Sequence, residues 1–380
     1  MPWWYILIPP ALLFPVLALR AEKMYWAIPQ LKSSSRFVVG TSVPALGAEA
    51  PTTNEIPNTQ YPSLSIIIPA RNEETNLQRL LPSLTALNYP GPVEVLVVDD
   101  NSTDGTARVA QALGVRVIGA GELPSGWLGK PHACHRGAEQ ATGDWLLFTD
   151  ADTVHTPDGV RATVGYALER GLDGVSPFLG QETFGPDRVI LMAAFAGLYA
   201  GMQADHPALN GQYILLRREA YFQSGGFAAV RGEPLEDLAL AHLLKKTGFR
   251  VPLVRGETVG RVRMYDDLRH VWHGMVRLGA GSLKWSGIGA VWTALYITGA
   301  LIPILAIPAG VSGMPWGWVS GLWGLAIVLL VPWARRFGAW YLAFFALFGA
   351  LFVQLAAVWG LAGKVVGRGV RWKGRVVNWE

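Results

Sequence analysis

The run Val93-Glu94-Val95-Leu96-Val97-Val98-Asp99-Asp100-Asn101-Ser102-Thr103-Asp104-Gly105-Thr106 decides the fold class. Its first six positions are mostly β-branched or apolar and too few for a helix, so they read as a buried strand. A burst of short polar residues ends the strand, and an amphipathic stretch follows over Gly105–Leu113. The same order recurs around it. Leu64–Ile68 reads as a strand before the helical stretch Glu74–Leu87, and Val115–Ile118 as a strand before the helical stretch Pro131–Ala141. Trp145–Phe148 reads as a fourth strand. Strands and helices alternating at this spacing predict an α/β domain with a mainly parallel central sheet. Ligands of such sheets bind beyond the carboxyl ends of the strands.

The polar clusters fall at those ends. Pro69-Ala70-Arg71-Asn72-Glu73 follows the first strand, Asp99 to Asp104 the second, and Asp150-Ala151-Asp152 the fourth. Taken singly, Ser102 or Asp104 is explained as a helix cap and Glu73 as a dipole partner. Three clusters in register on one sheet edge point instead to a site. Asp150 and Asp152 lie two apart, so an extended segment would turn both carboxylates to one side, toward a hard cation. Lys130, opening a helix in Gly126-Trp127-Leu128-Gly129-Lys130-Pro131, is a candidate phosphate contact. His132 and His135 lack the second ligand pair that zinc requires and read as helix-surface or substrate-lining residues. Glu236 and Asp237 open another amphipathic helix, either as caps or as a base that takes a proton from an attacking hydroxyl.

The rest of the chain is greasy. Hydrophobic residues make up 51% and charged residues 16%, against about 25% charge in an ordinary globular chain. The deficit is local: Met1–Leu19, Ser286–Ala334 and Phe337–Gly363 carry no charge. At about 20 residues per crossing, they predict one amino-terminal transmembrane helix and about three carboxyl-terminal ones. Nothing basic precedes the first run and no small-residue cleavage site follows it, so it reads as a retained anchor rather than a signal peptide. Arg20, Lys23, Lys32 and Arg36 after it, and Arg335 and Arg336 between later spans, place the catalytic domain on the cytoplasmic side of a cell membrane. The basic residues Lys364, Arg368, Arg371, Lys373 and Arg375 would lie outside after four full crossings. A cytoplasmic tail requires one apolar run to be re-entrant or in-plane.

The expected organisation is an anchor at 1–20, a juxtamembrane segment and linker at 21–62, and the catalytic domain at 63–260. An interfacial helical segment at 261–285, a transmembrane region at 286–363 and a basic tail at 364–380 follow. Val189–Met202, apolar but too short to span, suits the membrane interface or a buried core. Val271–Trp285, mixing tryptophans with His273, Arg277 and Lys284, suits the interface. A single cysteine, Cys134, excludes an internal disulfide framework. Net charge +4 fits anionic lipid headgroups; nucleic acid is a poor partner because the basic residues cluster beside the apolar runs.

Together the four ordered motifs, Ile66 to Glu73, Val97 to Thr106, Asp150-Ala151-Asp152 and Glu236-Asp237, resemble glycosyltransferase family 2. The resemblance implies the GT-A nucleotide-sugar-binding fold. It implies that Pro69, Ala70, Arg71, Glu73, Asp99 and Asp100 lie around the nucleotide, and that Asp150 and Asp152 hold ribose, diphosphate and Mn²⁺ or Mg²⁺. Asp237 is then the general base of an inverting displacement from a UDP-sugar. The run Gly126 to Ala133, the segment Arg261-Val262-Arg263-Met264-Tyr265 and the ending Arg371-Trp372-Lys373-Gly374-Arg375 are similar to membrane transferases acting on carotenoids, hopanoids and related lipids. Glycerolipid, sphingolipid and polyprenyl phosphate acceptors are the alternatives. His132, Glu236, Trp272, Arg371, Trp372 and Arg375 are candidate acceptor or phosphate contacts. The Gln/Arg-x-x-Arg-Trp signature of polymerising relatives is altered here, since His270 follows Arg269 and Trp272 comes three residues on. A nucleotidyltransferase or a non-catalytic membrane scaffold would account for the same carboxylates in other ways.

Overall fold

The computed structural model describes residues 7–31, 61–203, 205–367, 370–372 and 375–377. The expected linker lies outside them except for its last two residues, as do Lys32, Arg36, Arg368 and Lys373. The chain folds as two compact units. Pro29–Glu182 with Pro207–Met264 form a sheet unit, and Met1–Ile28, Thr183–His206 and Tyr265–Glu380 a helical unit.

The sheet unit contains strands β1 (Leu64–Ala70), β2 (Val93–Asp99), β3 (Arg116–Gly119), β4 (Trp145–Thr149), β5 (Thr153–His155), β6 (Gly174–Gln181), β7 (Tyr213–Arg217) and β8 (Leu253–Val262). They form one sheet in the order β3-β2-β1-β4-β7-β6-β8-β5. The half from β3 to β4 is parallel, as the alternation predicts. β7 then enters antiparallel to both β4 and β6, and β5 antiparallel to β8, so the sheet as a whole is mixed.

Helices α2 (Glu74–Thr85), α3 (Thr106–Ala112), α4 (Gly129–Gln140) and α5 (Gly159–Glu169) follow β1, β2, β3 and β5. α7 (Arg218–Ser224), α8 (Gly226–Ala229) and α9 (Glu236–Lys246) lie between β7 and β8. On one face, Leu77, Leu80, Leu81 and Leu84 of α2 and Val160 and Val164 of α5 join Ile66 and Ile68 in the core. Four buried leucines, at roughly 1.5–3 kcal/mol each, outweigh the ~3 kcal/mol that a proline such as Pro82 inside α2 costs. On the other face α4 reaches the sheet at Gly137, where any Cβ would strike Ile67 and Val98. Helices on both faces bury β1 except at Pro69, which is half-buried near its carboxyl end.

The helical unit holds α1 (Ile8–Ala27), α6 (Asp187–Gly201), α10 (Leu268–Ser286), α11 (Ile288–Ala300), α12 (Ile302–Val311), α13 (Trp316–Arg336) and α14 (Ala346–Val365). A hairpin of β9 (Val370–Trp372) and β10 (Arg375–Val377) ends it. By length and apolarity α13 and the continuous stretch Trp340–Val365 can each cross a membrane. α11 and α12, bent by 42° where they meet, make a third crossing if they count as one span. α1 falls outside that set among the described residues, because Arg20, Glu22 and Lys23 occupy its later turns. Leu12, Val16 and Leu19 of α1, Val328 of α13 and Phe348, Leu355, Val358 and Trp359 of α14 are exposed, an apolar surface of the kind that marks a membrane or partner contact.

Three contacts tie these helices together. Arg336 forms a two-pronged ion pair with Glu22 at 2.5 and 2.7 Å and lies 3.8 Å from the ring centre of Tyr25, so α1 and α13 end side by side. Arg20 donates to the carbonyls of Ala200 and Met202, both at 2.8 Å, and caps the carboxyl end of α6. Gly349 and Gly360 of α14 abut the carbonyls of Val189 and Val276, where small residues allow close helix packing.

Of the two readings of Val189–Met202, interface or buried core, the core agrees with the burial of α6. Its side chains from Ile190 to Met192 and at Ala196, Tyr199 and Ala200 are buried inside the helical unit. Thr183–His206, which the sequence places within the catalytic region, thus belongs to the helical unit.

Candidate active site

The loops that follow β1 and β2 interlock. Each turns through an asparagine in the left-handed region, Asn72 at φ 56° and Asn101 at φ 57°, a conformation asparagine tolerates better than most residues. Asn72 Oδ1 accepts from Thr103 N at 2.8 Å, and Ser102 Oγ accepts from Asn72 N at 2.9 Å. Asp99 Oδ1 accepts from Ser102 N, while Asp104 accepts from Glu74 N and Thr106 N. Those hydrogen bonds hold the Asp104 carboxyl below the usual range against the opposing effect of its burial. Glu73 is buried, with its carboxylate on Asn76 Nδ2 at 2.6 Å and its backbone N–H on Thr106 Oγ1 at 2.8 Å. Ser102, Glu73 and Asp104 therefore brace the rim. Arg71 remains on it, 3.8 Å from the Asp100 carboxylate and 3.3 Å from the Asp100 carbonyl. Pro69 and Ala70 complete this corner, where Asp100 N donates to the Ala70 carbonyl at 2.8 Å.

A second cluster lies past β4. Lys130, in the first turn of α4, places its ammonium 2.6 Å from Asp150 Oδ1, 3.2 Å from Glu236 Oε1 and 3.1 Å from the Gly211 carbonyl. Burial alone would pull this ammonium down. The two carboxylates more than reverse that, so Lys130 stays charged well above the ordinary lysine range. Gly211 N in turn donates to Asp237 Oδ2 at 3.1 Å, and Leu238 N donates to Oδ1 at 2.9 Å. One glycine thus links the lysine of α4 to the carboxylate of α9. Sequence reasoning did not find Gly211; its only signal is the turn pair Asn210-Gly211 just before β7.

Asp150 and Asp152 do not stand on an extended strand. Thr153 N and Oγ1 both donate to the Asp150 carbonyl, at 3.3 and 2.7 Å, which closes a turn. Strand alternation therefore does not set the direction of the two carboxylates; the turn does. The Asp152 carbonyl accepts from Arg263 N at 3.0 Å, fastening the turn to the end of β8. No group of three or more His, Cys, Asp or Glu side chains among the described residues is arranged to hold an ion. Two carboxylates fit a hard cation that completes its shell with phosphate oxygens and water. An ion held by protein alone is not what these residues are built for.

His132 is buried with Nδ1 lacking a hydrogen-bond partner, and Trp127 meets it edge-on at 5.5 Å. Burial pulls the imidazole below its usual range, with the Asp100 carboxylate opposing. His135, stacked on Trp127 at 5.4 Å, contacts Tyr221 Oη at 3.2 Å, and Tyr221 Oη accepts from Phe227 N. This chain props the Gly225-Gly226-Phe227 turn ahead of α9. Trp272 sits in α10 against Phe352, and the backbones of Arg371, Trp372 and Arg375 form the β9–β10 hairpin, all in the helical unit. The side chains of that hairpin lie outside the described residues.

Residues 65–238 match the family model for glycosyl transferase family 2. A 4,4'-diaponeurosporenoate glycosyltransferase of Staphylococcus aureus is 31% identical over 265 residues, which cover 66% of this chain and 70% of the relative. The chain belongs to glycosyltransferase family 2. Among solved structures, a mannosyltransferase of Pyrobaculum calidifontis, in complex with GDP-Man and Mn²⁺, aligns over 93% of this chain and 97% of its own. The TM-score is 0.57 at 18% identity, which establishes a shared GT-A-type fold.

For a family 2 transferase, the closeness of Gly211 to both Lys130 and Asp237 makes a prediction. A Cβ there would lie 3.1 Å from Asp237 Oδ2 and 3.3 Å from Lys130 Nζ, tighter than ordinary contact. Gly211→Ala is expected to slow transfer by about 10- to 100-fold through misplacement alone, with the melting temperature of the purified protein nearly unchanged. Transfer at the parental rate would show that the glycine does not set this geometry.

Proposed function

We propose that this protein is an inverting transferase that moves a single sugar from a UDP-sugar to a hydroxyl of a membrane lipid, an isoprenoid of the carotenoid type foremost. The observation that carries the reading is the Lys130–Gly211–Asp237 linkage, which sets a phosphate-binding cation and a proton acceptor on one backbone residue. Asp237 takes the hydroxyl proton, the acceptor oxygen bonds to the anomeric carbon, and the bond from that carbon to the diphosphate breaks, releasing UDP. Of the two acidic residues opening α9, Glu236 is buried and paired with Lys130, which leaves Asp237 as the base.

Charge supports the need for a divalent ion. Lys130 is already paired with Asp150 and Glu236, so by itself it does not neutralise an incoming diphosphate. Mn²⁺ or Mg²⁺ at Asp150 and Asp152 would neutralise the departing diphosphate. Arg71, Asp99 and Asp100, with Pro69 and Ala70, would line the nucleoside end.

The carotenoid direction rests on the S. aureus relative, whose name specifies diaponeurosporenoate, and on the apolar helices of the chain. A cell-membrane location with the catalytic domain toward the cytoplasm is supported by the charge bias of the chain, Arg20 and Lys23 after the first apolar run and Arg335 and Arg336 at the end of α13. The Glu22–Arg336 pair brings these charged parts of α1 and α13 to one place.

Lipid mass spectrometry of cells with and without the intact gene tests the proposal. One lipid species heavier by a hexose or an N-acetylhexosamine is expected only with the gene, and UDP rather than pyrophosphate is expected as co-product. No mass difference in any lipid class would sink the lipid-acceptor reading, and pyrophosphate release would point to nucleotidyl transfer.

A further inference from the structure

Lys130 has three N–H donors and all three are engaged, by Asp150 at 2.6 Å, Glu236 at 3.2 Å and the Gly211 carbonyl at 3.1 Å. To touch a diphosphate it must release one of them. The three partners are not equivalent. Glu236 is 6% exposed, and freeing its carboxylate would leave a buried charge unpaired by this lysine, which is costly. The Gly211 carbonyl belongs to the residue that also holds Asp237, so letting it go would disturb the base. The Asp150 side chain is 25% exposed and is the carboxylate that a divalent ion would take.

Resting on the metal and donor reading above, we propose that the Lys130 ammonium occupies the cation place on Asp150 until metal and diphosphate arrive together. Asp150 then passes from the lysine to the ion, and the freed N–H of Lys130 turns to the diphosphate while Glu236 and Gly211 hold the rest of the ammonium. The exchange has a thermodynamic consequence. Metal alone must displace an ammonium from its nearest carboxylate and receives nothing for the lysine in return. Metal with diphosphate supplies that lysine with a new anion. Binding of the two is therefore coupled through Lys130, and coupling is reciprocal. The lysine keeps a lone ion out of the site and makes the loaded donor its preferred cargo.

The test uses the full-length protein in detergent, with Mn²⁺ followed by electron paramagnetic resonance in the absence and presence of UDP. Lys130→Met removes the charge at nearly constant length. Lys130→Gln, which keeps a hydrogen-bond donor for Gly211 or Glu236, serves if the first variant does not fold. Either is expected to bind Mn²⁺ alone about five- to tenfold more tightly than the parent, bind UDP more weakly in saturating Mn²⁺, and lose most of the mutual enhancement. A lysine with only a packing role would weaken both ligands together, so the opposite signs are diagnostic. Unchanged Mn²⁺ affinity in a folded variant, with UDP still enhancing Mn²⁺ in the parent, would overturn the exchange and leave the proposed function standing. Failure of the parent to bind Mn²⁺ even with UDP would remove both.

Discussion

Asp237→Asn is expected to slow sugar transfer by about 10³-fold, in the middle of the range that a positioned general base contributes, while UDP binding persists. The amide has nearly the shape of the carboxylate, and its oxygen can still accept from Gly211 N, as Asp237 Oδ2 does at 3.1 Å. It cannot take a proton from a hydroxyl. Nothing in the exchange alters Arg71, Asp100 or the Lys130–Asp150 pair, so the donor should still bind. Turnover is measured with labelled donor and extracted lipid, and UDP binding by calorimetry on the same preparation. A parental transfer rate in the variant would show that another group takes the proton. Glu236→Gln is the informative companion because it breaks the ion pair of Lys130 rather than the acceptor contact. It is expected to harm donor binding first.

Much of this site was legible in the chain before folding because local sequence writes it. β1 and β4 are short apolar runs buried almost throughout, β2 is buried over Leu96–Val98, and each is followed by the polar residues that form the rim. Helices α2 to α4 start within two residues of the predicted positions because glycine, proline and acidic residues mark those starts locally. Beyond β4 only β7 is such a run, Tyr213-Ile214-Leu215-Leu216, and the strands after it in the sheet leave a weaker trace. β5 has three residues, and β6 carries Gly174, Pro177 and Gly180 and so lacks an uninterrupted apolar run. The chain also leaves the sheet unit between β6 and β7 to build α6 into the helical unit. An apolar helix of 15 residues reads the same whether a bilayer surface or other helices cover it. Gly211 was hidden for another reason: its role consists of backbone contacts to Lys130 and Asp237, which lie far from it in sequence.

Asp150→Ala should fail in a different way from Asp237→Asn, and the contrast separates donor binding from proton removal. The change removes the nearest partner of Lys130, at 2.6 Å, and one of the two carboxylates that would hold the ion. Lys130 keeps Glu236 and the Gly211 carbonyl, so its charge remains compensated and the fold should survive. A partly exposed pair of this kind contributes about 1 kcal/mol or less to stability, and the melting temperature should move little. Catalysis should move far more. Loss of charge stabilisation worth several kcal/mol on a departing diphosphate corresponds to about 10³-fold or more in kcat/KM. Unlike the Asp237 variant, this one should lose UDP affinity as well, and added Mn²⁺ should restore neither binding nor rate. If Asp150→Ala kept donor affinity and failed only in turnover, Asp150 would be acting on the reacting atoms rather than on the donor's charge. Asp237 and Asp150 would then have to exchange roles, although Asp237 is the carboxylate that Gly211 N holds and Asp150 the one that Lys130 neutralises.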